Sequence, residues 1–80
     1  SAKCLVLRMR AVPALDSTAM NALTALTKTC ESKGVTIVFS HVNEQPMKVM
    51  KKAGFVALAG EENFCPNITA ALERAEEIIK

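Results

Sequence analysis

The sequence predicts a single α/β domain, a mostly parallel sheet flanked by helices. Short apolar runs with β-branched content stand at Lys3–Met9 and Val35–Ser40, and an apolar repeat at three- and four-residue steps lies between them. The repeat ends at Gly34, directly before the second run, which is the tight joint of a strand-helix-strand unit. Such a crossover is right-handed and makes its two strands parallel.

In order, Lys3-Cys-Leu-Val-Leu-Arg-Met9 reads as a strand covered on both faces, closed off by Pro13. From Asp16 the apolar positions Ala19, Met20, Leu23, Leu26 and Cys30 form one stripe of a helix, with Lys28, Glu31 and Lys33 largely off it. Gly34 stops that helix at the C′ position. Val35–Ser40 is the second strand. Asn43 can cap a second helix whose first turn accepts Pro46, with Met47, Met50 and Ala53 inward and Gly54 at its end. Phe55-Val-Ala-Leu58 reads as a third short strand. After a turn at Gly60–Asn63, Asn67 can cap a last helix through about Ile79, with Ile68, Leu72, Ala75 and Ile79 inward. The expected core includes Met20, Leu23, Val35, Ile37, Val38 and Leu72. The first strand has no partner before it, so either the chain is part of something longer or another surface covers that edge.

Composition narrows the function classes. The 80 residues are 50% apolar with three aromatics, all Phe, which is a globular composition with a small core. No apolar run reaches the roughly 18 residues of a membrane span, and no signal-peptide layout is seen, so the chain reads as soluble by itself. A formal charge of +2, with lysines interleaved among glutamates, does not make a nucleic-acid surface. Cys4, Cys30 and Cys65 are odd in number and widely spaced, which fits buried thiols in a reducing compartment and not a disulfide framework or zinc site. No cofactor or metal is expected. No glycine opens a helix in a phosphate-loop spacing.

Two clusters are candidates for function. Asp16, Ser17 and Thr18 stand where a loop meets a helix N-terminus. They serve either as a cap or as an exposed hydroxyl whose phosphorylation the helix dipole would tolerate. Lys48, Lys51 and Lys52 share one face of the second helix, either a solvated face or a dock for an acidic partner or the anionic inner leaflet, although three lysines fall short of the roughly four to eight that strong lipid attraction takes. Hydrolase chemistry is not supported. His41 is the one histidine, and no third group is in view to complete a Ser17–His41 pair.

The same residues carry a family resemblance. Leu7-Arg-Met-Arg10, Val12-Pro13, Leu15-Asp-Ser-Thr18, Ala22-Leu23 and Lys33-Gly-Val-Thr-Ile-Val38 resemble the STAS domain, named for sulfate transporters and anti-sigma factor antagonists. The match continues through Val42, Gln45-Pro46, Met50, Ala53-Gly-Phe55, Gly60-Glu-Glu-Asn63 and Phe64-Cys-Pro-Asn67. Val-Pro, Gln-Pro, Ala-Gly-Phe and Gly-Glu-Glu-Asn are more similar to the transporter branch, the cytoplasmic C-terminal domain of SulP-type permeases. The resemblance implies a STAS-like α/β fold, with residues 1–80 as one partial domain lacking the family's N-terminal strands and helix. It implies a non-enzymatic regulatory module of a sulfate or anion permease, on the cytoplasmic side. The partners would be the transporter's membrane part, another cytoplasmic protein or a second copy, with no nucleic acid. The contact surface would be Asp16, Ser17 and Thr18, with Pro13, Asn21, Lys48, Lys51 and Lys52 beside them. The alternative is a free-standing anti-sigma factor antagonist, in which the residue matching Ser17 is phosphorylated by a partner kinase. Both branches often have Gly after Asp-Ser-Thr. Here Ala19 stands there, favouring helix by about 1 kcal/mol relative to Gly.

Overall fold

The computed structural model describes residues 2–80. Its elements run β1 (Lys3–Arg8), α1 (Ser17–Ser32), β2 (Val35–Ser40), α2 (Glu44–Lys52), α3 (Phe55–Ala59), a 3-10 turn (Glu61–Asn63), β3 (Phe64–Cys65) and α4 (Ile68–Ile79). The three strands form a parallel sheet in the order β1-β2-β3, with Leu5 opposite Ile37, Leu7 opposite Phe39 and Ser40 opposite Cys65. Parallel pairing follows from the crossovers: α1 joins β1 to β2, and α2 and α3 join β2 to β3.

Alternation along β2 sorts the layers. Ile37 and Phe39 belong to a core with Met9, Met20, Met50 and Phe55, so α1, α2 and α3 lie on that face. Val38 points the other way and is fully buried, as is Ala71 of α4, which covers the opposite face. The first helix ends as its glycine requires: Gly34 has φ +73°, and its N–H donates to the Glu31 carbonyl at 3.1 Å. Gly54, at φ +75°, turns the chain from α2 into α3.

The structure departs from the sequence-based expectations at several points. Phe55–Leu58 is not a strand but the helix α3, and the third strand is Phe64–Cys65. A short apolar run does not distinguish the two states. What decides is the ring of Phe64, which stacks on Phe39 with centroids 4.7 Å apart and 10° between planes, and so occupies the place beside β2. Phe55 then meets Phe39 edge-on at 5.5 Å. β1 is covered less than expected. It is an edge strand, and Leu5 remains 39% exposed because α1 packs over β2. On α1, Leu26 is exposed while Thr27 is buried, its hydroxyl donating to the Leu23 carbonyl at 2.9 Å. Ala53 of the α2 stripe is exposed as well.

On α4, Leu72 is 55% exposed and Ile79 is exposed too, so neither belongs to the core. The helix sits on the sheet through Ala71, with Ile68, Ala75 and Ile78 half-buried. This rotation brings Arg74 under the chain, where Nε donates to Asn63 Oδ1 at 2.9 Å. Asn63 is buried, and its Nδ2 donates to the Ala59 carbonyl at 2.7 Å. Buried amides need such partners, so the pair helps to fix the helix rotation beside the apolar packing. Asn67 caps α4 as expected, Oδ1 accepting from Ala70 N–H at 2.8 Å.

Phe39→Ala should destabilise by about 3–5 kcal/mol, whereas Leu72→Ala should change stability by less than about 0.5 kcal/mol. Urea denaturation of the two variants checks this. Equal losses would contradict the assigned rotation of α4.

Candidate functional site

The segment from Met9 to Asp16 leaves the carboxyl end of β1 and would be a free loop without anchors. Its apolar residues supply some: Met9 is buried in the core, and Val12 and Leu15 pack against it. The rest are polar and come from the start of α2. Asn43 Nδ2 donates to the Arg10 carbonyl at 3.0 Å and to the Val12 carbonyl at 2.9 Å. Gln45 pairs with the backbone of Leu15, accepting its N–H at Oε1 at 2.8 Å and donating from Nε2 to its carbonyl at 3.3 Å. Asn43 therefore does not cap α2 with its side chain, contrary to the sequence reading. Its amide is spent on the neighbouring loop, where two carbonyls would otherwise lack donors.

These anchors set the entry into α1. Asp16 is the N-cap, and its Oδ1 accepts from Ala19 N–H at 2.8 Å. Ser17 is the first helical residue, exposed, with Thr18 exposed behind it. Capping by Asp16 leaves the Ser17 hydroxyl with no capping duty, and it stands beside first-turn N–H groups that have no intrahelical acceptor. A negative group placed there would meet the positive end of the helix dipole.

Beside Ser17 runs an apolar groove of about 350 Å3, lined by Leu15, Ser17, Met20, Asn21, Val49, Lys52 and Ala53. It gathers Ser17, Asn21 and Lys52 of the residues singled out in the sequence. Asp16, Thr18 and Pro13 are exposed on the same helix start and loop. Lys48 is not part of this lining. It lies 3.4 Å from Glu44 one turn back, both ends exposed, an ion pair of little energetic weight. Lys51 is exposed and also lies outside the lining. Sequence reasoning missed Leu15, Val49 and Ala53 as groove walls and Asn43 and Gln45 as anchors. The Gln-Pro pair marks Gln45 only as part of a family pattern, with no hint of its reach to Leu15.

Catalytic groups do not converge here. His41, at φ +53°, follows β2 and lines cavities with Ser40, Asn67 and Phe64, not the groove that holds Ser17. All three cysteines are free thiols. Burial pushes the Cys4 and Cys65 thiols up, partly opposed by Arg74, which keeps them protonated and weakly nucleophilic. Among the described residues no group of three or more His, Cys, Asp or Glu could hold a metal ion, and no helix is long and apolar enough to cross a membrane.

Because Asp16 carries the cap, Asp16→Ala should cost about 0.5–2 kcal/mol. Ser17→Ala should stay within about 0.5 kcal/mol, as exposed substitutions do. Thermal unfolding of both variants measures the difference, and a larger loss from Ser17→Ala would reassign the cap.

The architecture and the helix-start surface can be set beside known proteins. The family model of the STAS domain matches residues 1–71. A sulfate transporter family protein from Wolinella succinogenes superposes with a TM-score of 0.91 at 34% identity, over 96% of this chain and 63% of that one. The STAS domain of a SulP transporter from Vibrio cholerae gives 0.89 at 31% identity, over 96% of this chain and 60% of that one. The chain thus spans about three-fifths of each of these structures. No curated protein matches. With the family model covering most of the chain and the same α/β arrangement in SulP transporter structures, the chain belongs to the STAS domain family.

Proposed function

We propose that this STAS domain is a non-enzymatic regulatory module of a SulP-type sulfate or related anion permease, working on the cytoplasmic side through protein contacts. The observation that carries the reading is the helix start of α1, capped by Asp16 and held by Asn43 and Gln45, with Ser17, Asn21 and Lys52 around an apolar groove. A surface this well anchored presents a partner with a fixed shape, so little ordering entropy is lost on docking. The likeness to two sulfate-transporter structures supports the transporter as the setting. The membrane part of that transporter is the partner, and the docked domain biases its conformation.

The reading also takes residues 1–80 as the later part of a longer domain. The outer edge of β1 has no paired strand among the described residues, Leu5 is exposed there, and the chain covers 63% and 60% of the two relatives. Native sequence added before residue 1 should raise the thermal midpoint. An unchanged midpoint, with the shorter chain monomeric by ultracentrifugation, would reject this.

The decisive experiment is anion uptake by the full-length protein that carries the domain. Lys52→Glu and Asn21→Ala, both at exposed positions, should lower uptake several-fold at equal membrane abundance and leave the domain's thermal midpoint within a few degrees. Unchanged uptake would overturn the assignment of this surface. Stoichiometric phosphorylation of Ser17 by a kinase, with loss of at least about tenfold in affinity for an anti-sigma partner, or about 1.4 kcal/mol, would establish the antagonist reading instead.

A further inference from the structure

A second concave place lies on the other face of the sheet, away from the groove beside Ser17. The carboxyl ends of parallel strands are where open α/β sheets take ligands, because loops and helix N-termini converge there. Here a cavity of about 90 Å3 is lined by Arg8, Arg10, Ser40, His41, Asn67 and Ile68. Arg8 and Ser40 are register partners on β1 and β2, so they stand side by side on the face that α4 covers. No carboxylate lines the cavity, and neither arginine forms an ion pair among the described residues. Both arginines also line an open depression with Ala11.

Two independent features converge on the cavity. The first is the N-terminus of α4, a 12-residue helix. Asn67 Oδ1 satisfies Ala70 N–H, and the Asn67 carbonyl accepts from Ala71 N–H. The N–H groups of Ile68 and Thr69 have no intrahelical acceptor. The second is Ser40. It is 2% exposed, yet its hydroxyl makes no hydrogen bond among the described residues. No fully enclosed side-chain oxygen or nitrogen lacks a partner among those residues. The Ser40 oxygen is therefore not sealed in the core but opens on the cavity it lines. A buried hydroxyl without a partner is uncommon, and one opening on a cavity lined by two arginines and the first turn of a helix is suited to an oxygen acceptor.

The geometry points to a binding site for one small free oxyanion of the sulfate or phosphate class, held by Arg8, Arg10, the Ser40 hydroxyl and the first turn of α4. The cavity is well below the roughly 300–1,000 Å3 of sites for drug-sized ligands, so it takes an ion and not a nucleotide. The Ser40 hydroxyl donates to one oxygen of the ion and the α4 N–H groups to others, while the guanidinium groups supply charge and directed donors. The site does not depend on the transporter reading or on the groove beside Ser17.

The test is amide NMR of the protein titrated with sodium sulfate or inorganic phosphate, against sodium chloride at equal ionic strength so that screening is matched. Saturable shifts should appear at Ser40, His41, Ile68 and Thr69 with the oxyanions and not with chloride. Arg10→Gln, at an exposed position, should weaken binding about tenfold, and Ser40→Ala several-fold, with the ion-free thermal midpoint of Arg10→Gln unchanged. Shifts that fail to saturate, that chloride reproduces, or that survive Arg10→Gln at full affinity would overturn the site. Binding of O-phosphoserine without binding of inorganic phosphate would also overturn the free-ion assignment, in favour of a phosphorylated protein.

Discussion

Everything else in this small molecule is arranged around Phe39. It is fully buried near the carboxyl end of the middle strand, and both other phenylalanines meet it, Phe64 stacked and Phe55 edge-on. Phe55 and Phe64 also meet each other at 90°. A chain of 80 residues with three aromatics has few large side chains to bury, so placing all three in one contact concentrates its apolar gain. The contact ties β2, α3 and β3 together, although β3 has two residues and could not hold its place by ladder hydrogen bonds alone. Met50 of α2 and Met20 of α1 fill the same core, and methionine suits the irregular space left around three rings.

Once β2 is held in this way, the chain beyond its carboxyl end is held as well. Asn43 and Gln45 come shortly after the strand, and their amides reach back to the loop between β1 and α1. The loop is thus bound to the core twice, by the side chains of Val12 and Leu15 and by hydrogen bonds to its backbone. Two unlike forces acting on one short segment leave it little freedom. Helix α1 therefore begins at a defined point, and the groove beside Ser17 inherits that order.

Much of this is legible in the sequence where a pattern is long and its alternatives are poor. The sixteen-residue helix α1, the joint at Gly34 and the cap at Asn67 follow from periodicity and backbone chemistry. The illegible parts depend on competition between near-equal local solutions. Phe55–Leu58 can be strand or helix, and only the distant Phe64 ring, seated against Phe39, removes the first choice. α4 has two apolar stripes one residue apart, Ile68-Leu72-Ala75-Ile79 and Ile68-Ala71-Ala75-Ile78. The larger side chains favour the former on hydrophobicity, but the small Ala71 lets the helix approach Val38, and Arg74 reaches its buried partner only in the latter. The site is partly legible for the same reason. Asp16-Ser17-Thr18 announces a helix start, but which oxygen caps it depends on where the loop delivers the chain, and that is set by Asn43 and Gln45 some thirty residues away.

The two concave places share a cause and differ in character. Both lie at the carboxyl ends of the strands, where backbone direction leaves helix N-termini and loops together. On the α1 face the N-cap is an acidic side chain, and the walls are Leu15, Met20 and Val49, so the surface suits the apolar contact of a folded partner. On the α4 face the cap is a neutral amide, with Arg8 and Arg10 supplying the charge and Ser40 an open hydroxyl. β1 links the two, because the chain that leaves Arg8 beneath α4 passes through Arg10 and then becomes the loop held by Asn43. The carbonyl of Arg10 is fixed by that amide while its side chain lines the oxyanion cavity. One residue therefore takes part in both places, its backbone in the anchor of the α1 surface and its side chain in the wall of the cavity on the α4 face.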